Sequence, residues 1–197
     1  MINKHYQDLS DDNLVKIHNQ LFPERTTNHL KKCYYLLLID WVRKTERPLF
    51  FMGKVLEIGI SKNKGDKIVS LNDVEAIKGK GLVGEKHFKE DNEKRRQITL
   101  IEIENINHYN KITGTIIPPI NFLRNIVTEG IRLNELVGKE FFIGTVKVKA
   151  HDLCKPCKYL QESLRQKNIL KELLYTGGLR CEILSSGKIY INDKIIS

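Results

Sequence analysis

The chain has 197 residues, 41% of them hydrophobic and 29% charged, a balance that fits a globular protein and excludes a disordered one. Lys and Arg total 33 against 24 Asp and Glu, so the formal net charge is +9, which implies an anionic partner without naming it. The longest apolar runs, residues 34–39 and 49–52, fall far short of the ~20 residues a membrane helix needs. Residues 1–8 hold no apolar signal segment. The four cysteines, Cys33, Cys154, Cys157 and Cys181, are too few for a disulfide scaffold, so the expectation is a cytoplasmic protein with reduced thiols.

In chain order the pattern is first helical. Ser10 followed by Asp11 and Asp12 reads as an N-cap with acids in the first turn, and Leu14, Ile17 and Leu21 share one face. Pro23 ends that helix. Thr26, Thr27 and Asn28 can cap a second, in which Leu30, Cys33, Leu37 and Trp41 form one stripe. Residues 1–50 are therefore expected to be a helical N-terminal extension. Such a hairpin is too small for a core of its own and should cover a barrel edge or make a homodimer contact.

Residues 51–197 have a different texture, with short strands punctuated by Gly, Asn and Asp. Strands are predicted at 53–60, 74–77 and 97–101, then a short helix at 102–109 and a strand at 125–128. A hairpin follows from 140–143 to 145–150, turning at Gly144. One helix is predicted over 157–174, with Leu160, Leu164, Leu170, Leu173 and Leu174 on its apolar side. Strands at 180–184 and 188–191, joined by Ser185-Ser186-Gly187, form a last hairpin. Many short strands with inserted short helices predict a mainly β fold with some α, a closed or nearly closed barrel. A parallel α/β sheet would require regular alternation, which is missing.

Three segments carry candidate chemistry. In His151-Asp152-Leu153-Cys154-Lys155-Pro156-Cys157-Lys158, two thiols three residues apart lie beside lysines that favour the thiolate. They could bind zinc together with His151 and Cys181, form a redox pair, or simply occupy a turn. Gly79-Lys80-Gly81-Leu82-Val83-Gly84-Glu85-Lys86-His87 contains G-x-G-x-x-G, but a charged loop follows where a dinucleotide site requires a helix. Its alternatives are a turn or backbone N–H groups approaching an anion, with Lys86 and His87 beside them. Arg124, within an apolar strand, and Arg95-Arg96 are either solvent-facing or binders of carboxylate or phosphate. The positive charge is spread over the chain without basic runs interleaved with aromatics, which argues against nucleic acid.

The order of these segments is more specific than any one of them. Gly81-Leu82-Val83-Gly84-Glu85-Lys86-His87 is followed by Arg96-Gln97-Ile98-Thr99-Leu100-Ile101 and by Arg124-Asn125-Ile126-Val127-Thr128-Glu129-Gly130-Ile131. Gly138 to Gly144, the turn Cys154-Lys155-Pro156-Cys157 and Gly177-Gly178 complete the series. From about residue 52 to 196 it resembles the MOSC domain family, named for the C-terminal domain of molybdenum cofactor sulfurase, and its stand-alone bacterial members. The resemblance implies a β-barrel that binds the molybdenum cofactor (molybdopterin), with the thiol of the Pro-Cys step, here Cys157, as metal ligand and catalytic residue. It implies cofactor-binding roles for Gly84, His87, Arg96, Arg124 and Asn125. It further implies reduction of small N-hydroxylated substrates such as hydroxylamino purines, with electrons from a separate donor protein. Alternatives are a non-enzymatic cofactor or sulfur carrier using a cysteine persulfide, and a zinc-stabilised binding module. Two positions depart from the family pattern: Glu85 stands where Asp is common, and Leu123 where Arg is common.

Overall fold

A computed structural model describes residues 52–197. The predicted N-terminal helices lie outside the described residues. Strand β1 (Met52–Ile60) is long enough to serve three neighbours: β6 (Ile126–Glu129) along one edge, and β2 (Val69–Leu71) and β11 (Lys194–Ile196) in succession along the other. The ring then runs from β11 through β7 (Glu140–Ile143), β8 (Val146–Leu153), β9 (Leu179–Ile183) and β5 (Ile98–Glu102) to β6. With the β1–β11 pairing these seven strands close into a barrel, so no open edge is left within the ring. All pairs in the ring are antiparallel except β5–β6, whose parallel crossover contains α1 (Ile103–Thr113). A separate three-stranded sheet holds β10 (Gly187–Tyr190), β3 (Asp73–Ile77) and β4 (Gly81–Leu82).

Local chemistry explains most of these elements. Ile143 pairs with Val146 across the two-residue loop Gly144-Thr145, and Gly144 at φ +57° supplies the first position that such a hairpin turn demands. Helix α1 stops at Gly114, whose left-handed φ of +66° lets its N–H reach the Asn110 carbonyl. Two apolar cores result. Ile58, Leu100, Ile126, Phe141, Val148, Leu179 and Ile195 fill the barrel interior. Outside the barrel wall, Ile101 and Val127 pack with Ile106 and Tyr109 of α1, Phe122, and Leu160, Ile169 and Leu173.

Three expectations are corrected. The helix expected over 157–174 is two: α2 (Lys158–Leu164) and α3 (Ile169–Glu172). Arg165 takes a left-handed conformation, φ +54°, and breaks the run. At about 100° per residue, the five-residue step from Leu164 to Ile169 would swing an unbroken helix's apolar face away. The break resets the phase, so Ile169 and Leu173 are buried while Leu170 and Leu174 stay 37% and 38% exposed. Next, β9 and β10 form no hairpin: β9 pairs with β8 and β5 in the barrel, and β10 with β3. Finally, β6 begins at Ile126, so Arg124 and Asn125 precede the strand, in the turn that follows Leu123 at φ +60°.

Gly177 and Gly178 sit where the chain has no room for a side chain. A Cβ on Gly178 would lie 1.9 Å from the Leu100 carbonyl oxygen, and φ there is +104°. Gly178→Ala should therefore cost about 3 kcal/mol or more through clash and strain. Gly114→Ala, with open space around its Cβ, should cost only about 1–2 kcal/mol for the left-handed backbone. Urea unfolding of the two variants checks the ranking, and equal midpoint shifts would refute it.

Candidate functional site

The site is built around the turn from Cys154 to Cys157, between the end of β8 and the start of α2. Cys157 is exposed and immediately precedes α2; Cys154 is half-buried, and Cys181 lies wholly inside the barrel core. None of these three cysteines is in a disulfide. Burial pushes the Cys181 thiol far up, with Cys154 and Asp152 adding to the effect, so Cys181 is an inert core residue.

The turn is held from below. The Cys154 N–H donates to the Gly178 carbonyl at 2.7 Å. A Cβ on Gly177 would lie 2.4 Å from the Cys154 carbonyl oxygen, so only glycine permits this approach. Arg124, 8% exposed, binds the pieces together. Its Nε donates to Gly177 O at 2.9 Å, Nη1 to Phe122 O and Leu123 O at 3.2 Å each, and Nη2 to Cys154 O at 3.4 Å. Among the described residues no carboxylate pairs with it. A permanently charged guanidinium is thus buried against neutral carbonyls beside the cysteine turn.

Asn125, the next residue, connects this clasp to the glycine loop. Its Oδ1 accepts from the Thr99 N–H at 3.0 Å and the Thr99 hydroxyl at 2.8 Å. Its Nδ2 donates to Gly59 O and to Glu85 Oε2, both at 3.3 Å. Glu85 is buried and also accepts from the Ser61 N–H at 2.8 Å, while its other oxygen is 3.1 Å from Lys86 Nζ. Hydrogen bonds from Arg124 to the cysteine turn and from its chain neighbour Asn125 to Glu85 therefore tie that turn to the loop carrying Gly84, Lys86 and His87.

In that loop Gly84 turns at φ +83°. His87 has its pKa lowered from the usual 6.5, chiefly by partial burial, then by Lys86, with Arg96 and Lys89 adding and Glu85 opposing. His87, Lys86, Lys89 and Arg96 thus share one cationic neighbourhood, although Arg96 is also 2.8 Å from Glu93.

The outer face of the barrel supplies residues that the sequence reading missed. Thr99 on β5 registers with Arg180 on β9, and Arg180 with Asp152 on β8; Arg180 and Asp152 are joined at 2.7 Å. Alternation around core residues Ile98, Leu100, Leu179 and Cys181 directs Thr99 and Arg180 outward. A register shift between Ala150 and Asp152 keeps His151 and Asp152 both half-exposed. His151 is committed to Glu182 at 2.9 Å, and Lys94 approaches the same carboxylate at 3.6 Å. Among the described residues no three His, Cys, Asp or Glu side chains converge on a metal-sized site. The four-ligand zinc set of His151, Cys154, Cys157 and Cys181 is therefore not assembled, because β8 and β9 direct Cys181 inward and His151 outward. Strand register was the missing signal for Arg180, since it is invisible until β9 is placed between β5 and β8.

A closed mainly β barrel whose cysteine turn is tied to a glycine loop defines the class of protein. The MOSC domain family matches residues 83–196, and the chain belongs to that family, whose domains are associated with molybdenum cofactor biology. The YuaD protein from Bacillus subtilis has a similar structure, with a TM-score of 0.66 at 20% identity, covering 75% of this chain and 96% of that one. YiiM from Geobacillus stearothermophilus gives 0.58 at 16% identity, covering 74% and 75%, and YiiM from Escherichia coli 0.55 at 16%, covering 75% and 69%. At these identities the likeness is one of fold. No curated protein matches the chain.

Cysteine reactivity and the titration of His87 test this geometry. Of the three described cysteines, Cys157 should alkylate first, Cys154 more slowly, and Cys181 only on unfolding. Arg124→Lys should lose hydrogen bonds to a charged group worth about 1.5–3 kcal/mol each at most and accelerate Cys154 alkylation, as read by peptide mass spectrometry. The His87 proton NMR titration should have its midpoint below 6.5 and move upward when inorganic phosphate binds. Since folding lowers this pKa, its contribution to stability is present above about pH 6.5 and is lost as pH falls toward the folded-state value. His87→Gln should remove that acid-side dependence.

Proposed function

We propose that this protein binds the molybdenum cofactor through the Cys157 thiolate and uses it to reduce N-hydroxylated compounds. The observation that carries the reading is the exposed Cys157 in a turn pinned by Arg124, Gly177 and Gly178 and linked by hydrogen bonds to a cationic loop. The donor set fits the group. A free thiolate is a soft ligand suited to molybdenum, and the His87, Lys86 and Arg96 neighbourhood suits an anionic, phosphorylated pterin. When bound, the cofactor would supply the two-electron redox chemistry and the oxygen-accepting centre.

The protein's own residues would hold and orient it. Arg124 acts from beneath: its donors go to main-chain carbonyls, so it shapes the cysteine turn and leaves positive potential there instead of gripping the phosphate. Asn125 holds the glycine loop against β5 through Thr99 and Glu85. Gly84 lets that loop turn, and His87 and Arg96 face the anion. Substrate reduction balances as R–NHOH plus two electrons and two protons giving R–NH2 and water, with electrons from a separate reduced protein. The chain offers no flavin or iron–sulfur motif of its own.

The test is metal and pterin analysis of full-length protein purified from a cofactor-competent bacterial host. Wild type and Cys154→Ser should carry near-stoichiometric molybdenum; Cys157→Ala should lose at least about nine-tenths of it, as expected when a direct ligand is removed. Loaded wild type should convert 6-hydroxylaminopurine to adenine with reduced methyl viologen. Molybdenum retained in Cys157→Ala would overturn the ligand assignment. Cyanolysable sulfur on Cys157 without molybdenum or reductase activity would replace this reading with that of a persulfide carrier.

A further inference from the structure

The break at Arg165 leaves an unusual surface next to Cys157. With Leu160, Ile169 and Leu173 buried, the outward side of the α2–α3 segment presents Tyr159, Leu170, Leu174 and Tyr175, the last 70% exposed. Isolated apolar residues at a surface need no explanation, but four within 17 residues, two of them tyrosines, have the composition of an interface core. The charge around them is one-sided. From residue 155 to 175 the exposed charged residues are Lys155, Lys158, Arg165, Lys167 and Lys171 against Glu162 alone. Four of these cations, all but Lys158, form no ion pair with a described residue. The other basic stretch, residues 86–96, mixes exposed Glu90, Asp91 and Glu93 among its cations and pairs Lys80 with Glu90 and Arg96 with Glu93.

Charge complementarity selects the occupant. A second copy of the chain carries +9, and residues 1–50 hold eight Lys and Arg against six Asp and Glu, a net +2. Neither complements a basic surface. We propose that the α2–α3 face is the docking surface for an acidic redox protein, a reduced flavin or iron–sulfur carrier, that delivers electrons one at a time to the centre held at Cys157. The proposal rests on the cofactor reading above. Cys157 immediately precedes α2, so a partner seated on this face is next to the metal ligand. Two one-electron deliveries with two protons complete the reduction of one N–OH group to N–H and water. The basic rim speeds and orients encounter, and the tyrosines supply the desolvated contact.

The test uses the full-length chain and reduced flavodoxin, an acidic flavoprotein, as the probe. Wild type should bind flavodoxin at low ionic strength, and the affinity should fall at least tenfold between about 20 mM and 0.3 M salt. Lys167→Glu/Lys171→Glu and Tyr175→Ser, none of them among the residues assigned to the cofactor, should each raise the flavodoxin Kd by about tenfold. In loaded protein they should raise KM for flavodoxin to the same degree, with the methyl viologen-supported rate unchanged. Flavodoxin affinity untouched by these substitutions would overturn the docking surface, as would a wild type that does not bind the probe. Binding of a single-stranded oligonucleotide in place of flavodoxin, abolished by the same substitutions, would also overturn it. Failure of the cofactor reading shows separately, as wild-type protein inactive with methyl viologen while the binding measurements still decide the surface.

Discussion

Arg124 is the constraint on which the site depends. Its guanidinium joins four carbonyls from three separate stretches of chain: the turn at Phe122 and Leu123, the cysteine turn at Cys154, and the glycine pair at Gly177. A buried charge is costly unless hydrogen-bonded, so these carbonyls must converge for the arginine to be inside at all. The reverse also holds, because the carbonyls would otherwise face one another without donors. Glycine is required at Gly177 because the clasp brings it against the Cys154 carbonyl, and at Gly178 because the Leu100 carbonyl of β5 passes there. What results is a rigid platform under an exposed thiol, the arrangement a metal ligand needs if its orientation is to be set before the ligand arrives.

The barrel positions that platform. Strand β1 makes closure possible because its length lets it pair with β11 at one end and β2 at the other, while β6 occupies its opposite edge. Once β9 is fixed between β5 and β8, the outward residues Thr99, Arg180 and Asp152 form a polar row between the glycine loop and the cysteine turn. The same closure draws Cys181 into the core and away from any ligand role. The outer apolar core then holds α1, α2 and α3 against β5 and β6. The cysteine turn is thus tied on one side to a barrel strand and on the other to helices.

Polar and apolar surfaces divide the labour. The glycine loop gathers cations that suit an anionic ligand, with Glu85 buried beneath to hold Asn125 and Ser61 in place. Beyond Cys157 the surface changes to exposed tyrosine and leucine with a basic rim, the composition of a protein contact instead of a small-molecule site. The two regions meet at the cysteine turn, which is where a reducing partner and a bound centre would have to meet.

Much of this was legible in the sequence because it depends on local rules. Alternation and glycine punctuation marked β1, β3, β5 and the β7–β8 hairpin, and the order of motifs pointed to Cys157 and to the family. Local rules could not show that β10 leaves β9 for another sheet, or that the three residues Lys194–Ile196 close the barrel, since both depend on pairings distant in sequence. Nor could periodicity reveal the break at Arg165: leucines at 160, 164, 170, 173 and 174 fit a continuous stripe, and only the outer core decides that Ile169 is buried in place of Leu170. By itself the sequence determined most of the element types, the Cys154-Lys155-Pro156-Cys157 motif and the net positive charge, because each follows from neighbouring residues. Tertiary structure alone decided that Arg124 grips the backbone, that Cys181 is unavailable as a ligand, and that the described residues leave the apolar face beside Cys157 uncovered, because burial and register are properties of residues brought together from afar.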